Sequence, residues 1–144
     1  MPESDLVTTL SGVDVFQGLS SKVLSRVIES GHQATYEPGA SVIVQGDSVA
    51  GFKAFSPAGV EMHVILEGAA RVAVDGVTHA TLTAGQYFGE LSLIDGGPRT
   101  ADVVADEGGL TTFALTKWTF EDLLEKHPEV AVPMLRVLAA RLRA

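Results

Sequence analysis

The stretch FGELSLIDGGPRTA, residues 88–101, breaks an otherwise regular rhythm of short strands and glycine turns. After Gly89 comes an apolar run, Leu91–Ile94, too brief for a core strand with turns of its own. Asp95-Gly96-Gly97-Pro98 then reads as a turn. A single helical turn starting after Gly89 leaves its first amides without intrahelical partners. Such amides suit phosphate. Arg99 follows with a forked guanidinium that matches phosphate oxygens, and Thr100 adds a hydroxyl. Glu90 is an acceptor-only carboxylate, ill suited to phosphate and well suited to a sugar hydroxyl. An anion site with a hydroxyl-accepting carboxylate beside it is the logic of a ribose-phosphate pocket.

On either side of this stretch, apolar runs rich in valine, isoleucine and threonine alternate with turns. The runs are Ser41–Val44, Met62–Leu66, Ala70–Val74 and His79–Leu82. The turns are Gly46-Asp47, Glu67-Gly68, Asp75-Gly76 and Ala84-Gly85. Asp75-Gly76 is a strong hairpin signal. Leu110–Leu115 reads as one more strand. This spacing predicts a sandwich, barrel or jelly roll.

Both ends are helical in pattern. Val23, Leu24, Val27 and Ile28 form a stripe that Ser20 or Ser21 can cap and Gly31 can stop. Near the other end, Thr116 or Thr119 precedes Phe120–Lys126, with Glu121 and Asp122 in the favourable first turn. Pro128 suits a first helical position, and a last helix starting near Val132 spares Pro133 a lost hydrogen bond. Leu135, Leu138 and Leu142 are its expected packing stripe, against the roll or a partner helix. One domain, 1–144, is expected: a helical segment 1–31, a β region 32–115 and helices 116–144.

Composition narrows the function classes. The 144 residues are 46% hydrophobic, enough for one ordinary core. No apolar run approaches the ~18 residues of a membrane span, and the first fourteen residues lack signal-peptide character. Without cysteine there is no disulfide and no thiolate zinc site. A cytoplasmic protein is expected. The formal net charge of −8 repels polyanions, and the lone basic cluster, Arg136, Arg141 and Arg143, reads as a solvated helix end. Direct binding to nucleic acid is therefore not expected. A small anion in one local positive pocket remains compatible with this charge.

Residues 88–101 resemble the phosphate-binding cassette of cyclic-nucleotide-binding domains, as found in catabolite activator proteins, protein-kinase regulatory subunits and cyclic-nucleotide-gated channels. Phe88, Gly89, Glu90, Leu91, Ser92, Leu93, Pro98, Arg99, Thr100 and Ala101 each match that pattern. Val15-Phe16 with Gly18-Leu19-Ser20, Gln45-Gly46-Asp47, Ile65-Leu66-Glu67-Gly68 and the segment from Pro128 to Arg143 extend the likeness over most of the chain. The resemblance implies a mainly β fold with flanking helices, a β-roll (a double-stranded, jelly-roll-like barrel). It implies a regulatory sensor, not an enzyme, that needs no cofactor and binds cAMP or cGMP, cAMP being favoured. Arg99 would then pair with the cyclic phosphate and Glu90 accept from the ribose 2′-hydroxyl. Amides of Gly89, Leu91, Ser92 and of Thr100 or Ala101 would face the sugar-phosphate, and the Thr100 hydroxyl either the phosphate or a guanine. The base would be covered by Met134 or Arg136, by chain beyond Ala144 or by a second subunit, or would have no cap. A homodimer, or a fused or partner output domain, is the expected context.

Other readings stand beside this one. Taken alone, Arg99 reads as a surface arginine paired with Glu90 or Asp102. A nucleotide-insensitive interaction module can keep the same fold. A cupin-type metalloenzyme also has short strands and glycine turns, but His63 and His79 lack the histidine and glutamate spacing that such a metal site needs. The chain also departs from the family. Residues 49–59, VAGFKAFSPAG, form an insertion of roughly ten residues relative to ordinary hairpin connections. Where relatives often brace the cassette arginine with an acid, this chain has Val60, with Glu61 beside it.

Overall fold

A computed structural model describes residues 2–48 and 61–143. The expectations for the insertion at 49–59 and for Val60 lie outside the described residues. The chain divides into two units. One is built from its two ends, Met1–Ser30 with Trp118–Ala144, and the other from Gly31–Lys117.

The second unit is a six-stranded antiparallel sheet. Its strands are β1 (His32–Tyr36), β2 (Ser41–Ile43), β3 (Glu61–Val74), β4 (Val77–Thr83), β5 (Tyr87–Phe88) and β6 (Asp102–Thr116). The main order is β1-β6-β3-β4; β2 also pairs with β6, and β5 with β3. β3 and β6 run side by side over most of their length and form the spine of the unit. The core gathers Ile43, Ile65, Ala70, Phe88, Val103, Ala105 and Leu110.

The predicted hairpin is present. Asp75 (φ 52°) and Gly76 (φ 79°) both have the positive φ that a two-residue type I′ turn demands. Two expectations are corrected. Glu67-Gly68 is not a turn, because Met62–Leu66 and Ala70–Val74 are parts of the single strand β3. Nor does the last strand begin at Leu110, since β6 already starts at Asp102. The physical reason is shared. The β3–β6 register shifts between Ile65 and Glu67 and again between Gly68 and Ala70, so the strands bend without ending. At that bend Gly68 and Gly109 both have positive φ, and a Cβ on Gly68 would collide with the Gly109 carbonyl. Glycines that look like turn signals therefore mark a close crossing of two continuous strands.

The helical unit contains α1 (Glu3–Ser11), a 3₁₀ turn at Asp14–Phe16, α2 (Ser21–Ser30), α4 (Lys117–Lys126), a 3₁₀ turn at Pro128–Val130 and α5 (Ala131–Arg143); α3 (Glu90–Asp95) lies in the β unit. α1 packs on α2, and α5 on the Asp14–Phe16 turn. The predicted cap of α2 holds, for Ser20 Oγ accepts the Val23 amide at 3.2 Å, and Leu24, Val27 and Ile28 are buried. Thr119 is not a cap, because α4 begins two residues earlier. α5 starts at Ala131, which leaves Pro133 in the first turn, where its missing amide costs nothing. That phase buries Val130 and Met134, one helical turn apart. It leaves Leu138 half-buried, Leu135 63% exposed and Leu142 89% exposed, so Leu135 and Leu142 are not buried within this chain.

Gly68→Ala should cost about 2–4 kcal/mol, because strained φ and a backbone collision coincide. Gly85→Ala should cost only about 1 kcal/mol, since its φ is positive but nothing lies within 4 Å of the new methyl. Urea unfolding of the two variants tests this, and equal costs would remove the crossing as the reason for the glycine.

Candidate functional site

Gly89 sits at φ 88° and turns the chain from β5 into α3 (Glu90–Asp95). The expected single helical turn is therefore real, and it follows the glycine that opens it. Gly96, also left-handed at φ 71°, ends α3, and Asp95 Oδ1 accepts the Gly97 amide at 2.8 Å to close the turn. The chain then passes Pro98 and Arg99 into β6. Ser92 and Leu93 are buried, whereas Thr100 is exposed and Leu91 and Ala101 are half-buried.

Arg99 is only 7% exposed. Its side chain holds two main-chain carbonyls: Nη1 donates to Gly89 O and Nη2 to Glu61 O, each at 2.9 Å. The backbone of the same residue is clasped as well. Its amide donates to Asp47 O at 2.9 Å, and its carbonyl accepts from the Gly46 amide at 2.8 Å. Burial pulls the Arg99 pKa down, while the carboxylates of Asp47, Glu61 and Glu90 act against that pull. Glu90 is 2% exposed and lies one residue after Gly89, whose carbonyl Arg99 holds. Sequence and fold thus bring Gly89, Glu90, Ser92 and Arg99 together. Met134 and Arg136, expected near the base, lie on α5 of the helical unit, the first buried and the second exposed.

Glu61 resolves the question of the brace. Its carbonyl, not its carboxylate, bonds Arg99. The carboxylate Oε2 instead accepts from His32 Nε2 at 2.6 Å, across β6. Ala114 is the β6 residue in register with His32 on one side and His63 on the other, and its small side chain leaves room for that reach. Burial raises the Glu61 pKa, and the hydrogen bond from His32 together with the charges of His32 and Arg99 lowers it in part. His32 gave no sequence signal; only the strand register places it here.

His63 is buried on the same sheet face. Its Nδ1 shares a 2.9 Å hydrogen bond with Thr112 Oγ1, and its ring stacks on Phe88 with centroids 5.1 Å apart. Its pKa is pushed down to about 3, first by burial and then by the charges of Arg99 and His32, so the ring is neutral at physiological pH. No group of metal-ligating side chains occurs among the described residues, and His79 is exposed. No described helix is long and apolar enough to cross a membrane.

Residues 33–127 match the family model of the cyclic nucleotide-binding domain. The chain is 35% identical over 136 residues to the cyclic nucleotide-gated channel alpha-4 of Mus musculus, a match covering 89% of the chain and 22% of that protein. It is 30% identical over 139 residues to the cAMP-dependent protein kinase regulatory subunit of Colletotrichum trifolii, covering 92% and 34%. It spans only a fifth to a third of the length of these two relatives. Among solved structures, the Thermus thermophilus catabolite activator protein superposes with a TM-score of 0.72 at 29% identity, over 90% of this chain and 58% of that one.

Two outcomes test the site as built. Gly89→Ala places a methyl 2.9 Å from Glu61 O, the carbonyl that Arg99 holds, at a φ that disfavours any side chain. It should both destabilise the fold and shift the Arg99 side-chain resonances in NMR. His63 makes stability depend on acid: its folded pKa is depressed, so the unfolded chain binds more protons between about pH 3 and 6.5 and stability falls as pH drops through that window. The slope from this group approaches ~1.4 kcal/mol per pH unit. His63→Gln, which keeps a partner for Thr112, should flatten it in denaturant titrations at pH 5.0 and 6.5, and parallel slopes for the two proteins would contradict the assignment.

A buried, backbone-clasped arginine in a cassette matched residue for residue, on this β-roll and within the matched segment, leaves one conclusion: the chain belongs to the cyclic nucleotide-binding domain family.

Proposed function

We propose that this chain is a regulatory sensor that binds cAMP in preference to cGMP, with the phosphate held by residues 88–101. The observation that carries the reading is the state of Arg99. A guanidinium that is nearly buried, and that donates to the neutral carbonyls of Gly89 and Glu61, keeps its positive charge and has further N–H donors. Such a buried cation is best satisfied by an anion docking onto it. Glu90, one residue beyond the carbonyl that Arg99 holds, is the ribose 2′-hydroxyl acceptor. Amides of Gly89, Leu91 and Ser92 meet the sugar-phosphate, as does that of Thr100 or Ala101. The exposed Thr100 hydroxyl stays available to phosphate or base.

The preference for cAMP is supported by the name of the kinase subunit, which shares 30% identity. The module performs no chemistry of its own and acts through a fused or partner output domain. That its relatives are several times longer than the match supports this.

Calorimetric titration tests the reading. Arg99→Ala removes a charge-assisted partner worth about 2–5 kcal/mol and should weaken cAMP binding well over tenfold. Arg99→Lys should not restore it, because an ammonium lacks the fork. Glu90→Ala should cost about 1–3 kcal/mol, and that cost should vanish against 2′-deoxy-cAMP. A folded Arg99→Ala protein that binds cAMP as tightly as the parent would replace this reading with a nucleotide-insensitive interaction module.

A further inference from the structure

The backbone clasp on Arg99 is made by Gly46 and Asp47, and these two residues are themselves anchored by their neighbour Gln45. The Gln45 side chain forms a reciprocal pair with Asp75: Nε2 donates to Asp75 Oδ1 at 2.9 Å, and Oε1 accepts the Asp75 amide at 2.8 Å. The Gln45 amide donates to Asp102 Oδ1 at 2.7 Å. Three bonds therefore fix one residue from two directions.

The strand register explains the placement. β6 has β2 on one side and β3 on the other where it starts, with Val103 facing both Ile43 and Val72. Gln45 lies two residues past Ile43. Asp75 lies two residues past Ala73, which faces Asp102. The two side chains thus straddle the point at which the cassette runs into β6. Asp75 is also the only non-glycine with positive φ among the described residues, held so by the type I′ turn. A left-handed Asp there aims its own amide and carboxylate at Gln45 together.

We propose that Gln45 and Asp75 form a clamp that positions Arg99 for its anion, acting through the Gly46 and Asp47 backbone without touching the ligand. This rests on the proposed role of Arg99 as phosphate ligand. The β3–β4 hairpin tip thereby becomes part of the binding apparatus, and Gln45 is a positioning residue for it. The requirement is geometric. An acceptor at residue 75 and an amide donor at residue 45 are both needed, and the charge of Asp75 is not.

Four variants of the full chain test this: Gln45→Ala, Asp75→Ala, both together, and Asp75→Asn, which keeps an acceptor and tolerates positive φ. Amide exchange without ligand should rise at Gly46 and Arg99 in the three alanine proteins. It should stay unchanged at Ala105, whose amide bonds Ala40 O elsewhere. In calorimetry the three should bind cAMP about threefold to tenfold more weakly, the double variant no worse than either single one. Asp75→Asn should match the parent in both measurements. Unchanged Gly46 and Arg99 exchange in folded Gln45→Ala would overturn the clamp whether or not cAMP binds. Additive losses in the double variant, or Asp75→Asn behaving like Asp75→Ala, would overturn it too. Failure of the parent to bind cAMP would instead strike the nucleotide reading, with the exchange pattern still deciding the clamp.

Discussion

The site depends on one constraint: a guanidinium must stay charged while almost fully buried. A cation removed from water is costly unless polar groups surround it. Here the groups are the carbonyls of Gly89 and Glu61, and each is fixed by a feature of the fold. Gly89 presents its carbonyl because it adopts φ 88°, which only glycine takes without strain. Glu61 presents its own as the first described residue of β3, with its carboxylate tied to His32 across β6. The carboxylates of Asp47, Glu61 and Glu90 add favourable potential. The carbonyls orient the guanidinium without cancelling its charge.

That constraint reaches into the core beneath. The interior face of the sheet carries Glu61, His63 and Thr112, an unusual polar layer for a small β unit. His63 is neutral, because Arg99 and burial both penalise its protonated form. It therefore behaves as a flat packing group against Phe88 that still satisfies Thr112. Phe88 leads directly to Gly89, so the same stack that fills the core sets where the cassette begins. Packing and the proposed binding fall to adjacent residues.

Much of this was legible in the sequence. The Gly89 turn, the short helix, the Asp95–Pro98 turn, the Asp75-Gly76 hairpin and the grouping of Glu90 with Arg99 follow from local chemistry, because glycine, proline and capping residues act over a few positions. What was misread depends on pairing between distant strands. Gly68 looks like a turn residue and becomes a strand crossing with Gly109 only when β3 lies beside β6. The His32–Glu61 bond needs the register of three strands, and the carbonyl role of Glu61 cannot be seen from side-chain identity at all. The burial of Met134 was not legible either, because the phase of α5 is set by its start at Ala131.

The relatives matched include a channel subunit and a kinase regulatory subunit, so one fold occurs in different whole proteins. The central claim is that Arg99 keeps its charge available for a cyclic phosphate. Equilibrium titration of the 144-residue chain with cAMP, with 5′-AMP as the control, tests it most directly. The account predicts saturable binding of one cAMP per chain and markedly weaker binding of 5′-AMP, whose open, more highly charged phosphate does not fit the same cradle. No saturable binding of cAMP, or equal affinity for both nucleotides, would contradict it.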